Sequence, residues 1–267
     1  MNLLILGDIC GSPGRLAVET LLPGLRRDLC ADWVIANGEN ATGGAGLSVR
    51  HARRLFEAGV DLLTSGNHLF DRPDWPELLS KEGGRVLRPH NLAGASAPGG
   101  GRALLGEGSP NALGIVNLAG RVFMEPGECP FRTAERLLET FPPGLPILVD
   151  IHAEATSEKI ALAWSLAGRV AAVVGTHTHV QTADERILPG GTAFITDLGM
   201  TGPRDGVLGV DRDIVISRFR RGFSEKFRPA SGDTVLEGVL IGIGQEGRAV
   251  SIRRVREMGP VARSDEG

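Results

Sequence analysis

Six side chains spread along the sequence have the chemistry of ligands: Asp8, Glu39, Asn67, His152, His177 and His179. Each stands just beyond a short apolar run. Asp8 follows Leu3 to Leu6, Asn37-Gly38-Glu39-Asn40 follows Trp33 to Ala36, and Gly66-Asn67-His68 follows Val60 to Thr64. Asp150 and His152 come from Ile147 to Ile151, and Gly175-Thr176-His177-Thr178-His179 follows Val170 to Val174. Singly, each has a structural reading. An Asp after a strand commonly bonds its own downstream backbone, Asn67-His68 closes a turn equally well, and His152 suits a hydrogen-bonded core position. His177 and His179 resist that reading, because a strand-like i, i+2 pair puts both imidazoles on one side and histidine is the commonest metal ligand.

Oxygen and nitrogen donors without thiolates suit Zn, Mn or Fe(II). Six donors are more than one four-coordinate ion takes, whereas two ions sharing a bridging carboxylate would use them all. Such a pair, ~3.5–4 Å apart, generates a hydroxide nucleophile and neutralises the oxygens of a phosphoryl group. The pattern predicts a hydrolase of phosphate esters.

The elements that must position these residues follow a repeated beat. Leu3 to Leu6 is too short for a helix and predicts a buried strand. Ser12-Pro13 predicts an N-cap and first helical position, opening a helix that Pro23-Gly24 interrupts. Ser48 opens a second helix with Ala52, Leu55, Phe56 and Gly59 at helical spacing, and a third spans about Thr156 to Ala167. Strand, helix, strand at this spacing predicts an α/β fold with a parallel or mixed sheet, in which ligands gather beyond the carboxyl ends of the strands. Gly94 to Gly108 predicts an exposed turn or hairpin. From Val235 onward, two apolar stretches predict paired strands of a second sheet. No boundary divides residues 1–267, so a single domain is expected, with a frayed tail from about Met258.

Composition bounds the partners. The 267 residues carry 29 Lys and Arg against 32 Asp and Glu, a net charge of −3, which argues against bulk nucleic-acid or membrane-surface binding. No apolar stretch reaches the ~18 residues of a membrane span, and the N-terminus lacks the basic start of a signal peptide, so a cytoplasmic protein is expected. Cys10, Cys30 and Cys129 form no pair with zinc or disulfide spacing and are expected to be buried or half-buried thiols. Glycine, at 38 residues, is about twice its usual ~7% share, which implies many tight turns and close backbone approaches. His51 is expected on a solvated helix, His90 in a turn, and Arg218, Arg220 and Arg221 on a solvated face.

In order along the chain, Asp8, Gly66-Asn67-His68, the isolated His152 and Gly175-Thr176-His177-Thr178-His179 resemble the calcineurin-like metallophosphoesterases. The closer resemblance is to bacterial YmdB-like phosphodiesterases. It runs through Gly7-Asp8-Ile9, Asn37-Gly38-Glu39-Asn40, Gly66-Asn67-His68, Asp150 to Lys159, Val173 to Gly191 and Thr196-Asp197-Leu198-Gly199-Met200-Thr201-Gly202, most of the chain. This resemblance implies a four-layer α-β-β-α sandwich of two mixed sheets flanked by helices. It also implies two divalent ions per chain, iron or manganese ahead of zinc. Asp8, Glu39 and His179 would hold one ion, Asn67, His152 and His177 the other, with Glu39 bridging. The chain departs from the wider superfamily at Cys10, which replaces the histidine of Asp-x-His, and at Glu39, where an Asp usually bridges. The first departure leaves one ion with fewer protein ligands.

The mechanism so implied is in-line attack by a metal-bridging hydroxide on a small phosphodiester, such as a 2',3'- or 3',5'-cyclic nucleotide. His68 would be the general acid, and Asn40 would hydrogen-bond a phosphate oxygen. A phosphomonoesterase or nucleotidase is the alternative within the class, disfavoured because a dianion needs more positive charge than Arg72 alone supplies. A non-catalytic metal-dependent nucleotide sensor would use nearly the same residues. A dinucleotide-binding oxidoreductase is disfavoured because Gly7, Gly11 and Gly14 do not have Gly-x-Gly-x-x-Gly spacing. A homo-oligomer is left open.

Overall fold

Period-two alternation along β1 (Asn2–Leu6) divides its side chains between two cores, Leu3 and Ile5 facing one and Leu4 and Leu6 the other. A strand buried on both faces reads as a continuous apolar run, which is what Leu3 to Leu6 is. The computed structural model describes residues 1–92, 97–223 and 226–263.

After β1 come β2 (Asp8–Ile9), α1 (Gly11–Asp28), β3 (Trp33–Asn37), α2 (Val49–Glu57) and β4 (Leu62–Thr64). A 3-10 turn (Asn67–Asp71), α3 (Trp75–Glu82), β5 (Arg102–Leu105), β6 (Leu113–Ala119), α4 (Pro130–Leu138), β7 (Ile147–His152), α5 (Thr156–Leu166) and β8 (Ala172–Thr176) follow. The remainder is β9 (Arg186–Leu188), β10 (Thr192–Ile195), β11 (Met200–Pro203), α6 (Arg212–Arg221), β12 (Gly232–Ile243) and β13 (Ala249–Ala262).

Two mixed sheets result. One has the order β2-β11-β12-β1-β3-β4, with β13 also paired to β12, and the other β5-β6-β7-β8-β10-β9. Strands β1, β3 and β4 are parallel, as are β6, β7, β8 and β10. Leu3, Ile5, Ile35, Leu148, Val174 and Val239 fill the core between the sheets. Val18, Leu22 and Leu55 of α1 and α2 cover the outer face of the first sheet, and Leu137, Leu162 and Leu166 of α4 and α5 cover that of the second. These are the four layers α-β-β-α.

Several expectations are corrected. Strands β12 and β13 belong to the first sheet, because β12 pairs antiparallel with β1 from Asn2↔Gly242 to Leu6↔Gly238. Helix α1 runs through Pro23 without a break and begins at Gly11, with Cys10 rather than Ser12 at its N-cap. Its packing against β11, β12 and β13 outweighs the hydrogen bond that Pro23 cannot donate. The last strand remains paired as far as Gly232↔Ala262, past the expected start of fraying. Residues 264–267 lie outside the described part. So do 93–96 of the glycine-rich stretch, whose later half supplies β5 against β6. No helix among the described residues is long and apolar enough to cross a membrane.

Candidate metal centre

The parallel strands of both sheets end on the same side, and the six expected ligands lie on the segments that leave those ends, with Glu39, His152 and His177 the three whose ligand atoms fall together. Asp8 begins β2, registered against Met200 of β11. Glu39 and Asn40 turn off the end of β3, where the Asn37 Oδ1 accepts from the Glu39 N–H at 3.0 Å. Asn67 and His68 open the 3-10 turn beyond β4, and His152 is the last residue of β7. His177 and His179 follow β8, but not as an extended pair. Both have left-handed backbone, with φ of 98° and 60°, so the loop folds back on itself. Non-glycine residues take that conformation at a cost, and such strain clusters at functional sites.

Glu39 is the hub. Its Oε1 lies 2.9 Å from His152 Nε2, and its Oε2 accepts from the His68 N–H at 3.0 Å. The His177 Nδ1 is 3.0 Å from His152 Nε2. One ligand atom from each of Glu39, His152 and His177 falls within a common 4.8 Å. Asp8 Oδ2 accepts from the His177 N–H at 3.1 Å, while Oδ1 stands 3.8 Å from His179 Nε2 and 3.9 Å from His152 Nδ1, beyond hydrogen-bond reach. Asn40 Nδ2 is 3.1 Å from His179 Nε2, and His179 Nδ1 donates to the Leu208 carbonyl at 3.0 Å. At Gly66 a Cβ would collide with the His152 ring and the Glu39 carboxylate, so only glycine lets this backbone, and Asn67 after it, approach so closely.

Among the described residues, three oxygens here are buried without a hydrogen-bond partner: Asp8 Oδ1, Asn40 Oδ1 and Asn67 Oδ1. An unsatisfied buried oxygen costs about 1–3 kcal/mol, a cost that a cation would remove. The charges say the same. Burial opposes ionisation of Glu39, yet the charge and hydrogen bond of His152 outweigh it and hold the carboxyl down at about 2. Burial likewise opposes charging of His152, and Glu39, then Asp8 and Asp150, lift it to about 9. Burial, followed by the His152 charge, depresses His177 to about 3, and burial raises Asp8. A proton on His152 thus performs the neutralisation that the carboxylates demand. Hard oxygen and imidazole donors fit divalent cations in its place. Burial and then the charge of Asp8 push the Cys10 thiol up to about 12, so Cys10 stays protonated.

Sequence reasoning missed the groups behind the ligands. His152 Nδ1 donates to Thr176 Oγ1 at 2.9 Å, and that hydroxyl donates to Asp150 Oδ1 at 2.9 Å, which leaves His152 Nε2 as the ligating nitrogen. Asp150 and Thr176 stand at strand ends, but their role needs the pairing of β7 with β8. Glu154, which no sequence signal marks, lies 3.1 Å from His177 Nε2. His68 Nδ1 meets Asp71 Oδ2 at 2.6 Å. Arg72 is engaged through Nε and Nη2 by Asp74 at 2.8 and 3.0 Å. His90 Nδ1 accepts from the Gly101 N–H, as a turn residue would. His51 is half-buried against Thr42 rather than solvated, and Cys30 is exposed.

This fold is that of the metallophosphoesterases, and carboxylates, carboxamides and imidazoles converge at one end of its strands. The solved 5'-nucleotidase precursor of Thermus thermophilus shares the fold, with a TM-score of 0.59 at 14% identity over 99% of this chain and 56% of that one. Within the class the chain belongs to the YmdB-like protein family, whose model matches residues 4–255. A 2',3'-cyclic-nucleotide 2'-phosphodiesterase of Bacillus subtilis (strain 168) is 44% identical over 257 residues, 96% of each chain. A structure described as a novel phosphatase from Mycoplasma pneumoniae superposes with a TM-score of 0.90 at 34% identity, covering 97% of this chain and 94% of the other.

Proposed function

We propose that the protein is a two-metal phosphodiesterase that hydrolyses cyclic nucleotides, with 2',3'-cyclic nucleotides as the first substrates to consider. The observation that carries this reading is the two unpartnered buried oxygens, Asp8 Oδ1 and Asn67 Oδ1, beside the Glu39, His152 and His177 cluster. The 44% identity to the Bacillus subtilis enzyme supports the substrate class. Asp8, Glu39 and His179 would hold one ion and Asn67, His152 and His177 the other, with Glu39 shared; iron or manganese is preferred to zinc. When bound, such ions supply Lewis acidity toward phosphoryl oxygens and lower the pKa of water.

The remaining work falls to side chains. Water oxygen joins phosphorus, its proton passing to solvent, as the bond from phosphorus to the ribose 2' oxygen breaks, leaving a 3'-monoester. His68, its Nδ1 held by Asp71, donates a proton from Nε2 to the departing 2' oxygen. Asn40 offers its amide to a phosphate oxygen. Arg72 is already committed to Asp74, so it supplies no free charge to a dianionic monoester. Three free thiols support a reducing cytoplasmic location.

The test is turnover of 2',3'-cyclic AMP, 3',5'-cyclic AMP, bis(p-nitrophenyl) phosphate and p-nitrophenyl phosphate with added manganese. Diester cleavage that exceeds monoester cleavage and vanishes with chelator is expected. Monoester preference, or no turnover despite bound metal, would replace this reading with the nucleotidase or the sensor.

A further inference from the structure

A cavity of about 580 Å³ opens directly beside the metal centre, with Glu39, Asn40, His68, His177 and His179 on its inner wall. Its outer part has a different chemistry. Leu208, Val210, Phe227 and Pro229 form an apolar side, and Gly43, Gly44 and Ala45 form another. A phosphate needs none of this apolar surface, so the cavity is shaped for something attached to the phosphate.

Two features narrow the occupant. Phe227 leaves 43% of its surface exposed while the Arg218 guanidinium packs at 5.0 Å from its ring centroid. An aromatic ring held by an arginine and lining a wet cavity is the arrangement that stacks nucleobases. Gly43 and Gly44 have φ of 65° and 90°, a backbone that side chains rarely adopt, and a Cβ on Gly43 would meet no atom within 4 Å. The absence of side chains there keeps the space free. Lys226 lines the cavity and favours an anionic ligand over a lipid or a neutral sugar, while Arg228, also in the lining, is paired with Asp211 at 3.3 Å.

We infer that this outer cavity is a nucleobase subsite, in which Phe227 stacks on the base of a nucleotide whose phosphate sits over the metal ligands. The inference rests on the phosphodiesterase reading and adds a specificity determinant to it. Loop 205–211 then serves both ends of the substrate, because the Leu208 carbonyl accepts from His179 Nδ1 while its side chain lines the base wall.

The experiment compares 2',3'-cyclic AMP with the abasic ribose 2',3'-cyclic phosphate in wild type, Phe227→Ala and Phe227→Tyr, and measures adenosine binding to the same proteins by calorimetry. Stacking on one aromatic ring implies a roughly tenfold rise in KM for the nucleotide on Phe227→Ala. The KM gap between nucleotide and abasic ester should narrow accordingly, and Phe227→Tyr should restore it. Adenosine affinity should fall in parallel. Equal losses on both esters, or unchanged adenosine binding in Phe227→Ala, would overturn the subsite. If wild type binds adenosine through Phe227 but cleaves neither ester, the phosphodiesterase reading fails while the base subsite stands.

Discussion

Lys159 Nζ and Asp197 Oδ2, 38 residues apart in sequence and both inaccessible to solvent, meet at 2.8 Å. The same carboxylate oxygen accepts from the Thr178 N–H at 3.2 Å and from its hydroxyl at 2.6 Å. Thr178 stands between the two histidines with left-handed backbone, so this buried ion pair pins the loop that presents them. Removing one partner of a buried pair strands the other charge and costs about 3–5 kcal/mol. Asp197→Ala should lower unfolding free energy by that order in denaturant titrations. It should also weaken metal binding, which Lys159→Met and Asp197→Asn will do less if the loop contacts to Thr178 matter more than the charge.

Thr176→Val tests the relay behind His152. The hydroxyl that accepts from His152 Nδ1 and donates to Asp150 is lost while the volume of the side chain is kept. Partners of this kind, removed, typically cost ~10–100-fold in metal affinity. Metal titration should show a loss of that size with the fold intact by circular dichroism; unchanged affinity would remove the relay from the account.

His68 is assigned to proton donation and not to metal holding. His68→Ala should retain bound metal and lose about 10²–10⁴-fold in kcat on nucleotide diesters. The effect should shrink on bis(p-nitrophenyl) phosphate, whose leaving group needs little protonation. Asp71→Asn should give a smaller loss of kcat, because it weakens the grip on His68 Nδ1 without removing the imidazole.

His51 makes stability depend on pH. Burial, then the charges of Arg15, Arg54, Arg50 and Arg72, hold it down at about 4 against 6.5 when free. The unfolded chain therefore binds this proton more readily than the folded one. Its contribution is fully present above about pH 6.5 and is lost as pH falls toward 4. Unfolding curves of wild type and His51→Gln, followed over that window, should diverge, with the variant losing less; parallel curves would contradict the shift.

Much of this centre was legible because ligand types sat just beyond short apolar runs, and β1, β3, β4, β7 and β8 do end beside them. The N-cap at Ser48 was also readable, and its hydroxyl accepts from the His51 N–H. What escaped depends on contacts between distant segments. Nothing near Lys159 announces that it reaches Asp197, and a lysine in a helix ordinarily faces solvent. The geometry of His177 and His179 escaped because the alternation resembles a strand, whereas Asp8 and Asp197 hold the loop in a turn. Strands β12 and β13 were recognisable as strands, but only the register of β12 on β1 shows which sheet they extend.

The most direct test of the central claim is anomalous diffraction from crystals soaked in manganese. Two peaks about 3.5–4 Å apart are expected, with Glu39 between them, Asp8 Oδ1 and His179 on one, and Asn67 Oδ1, His152 and His177 on the other. A single peak, or peaks that leave Asp8 Oδ1 and Asn67 Oδ1 without a partner, would contradict it.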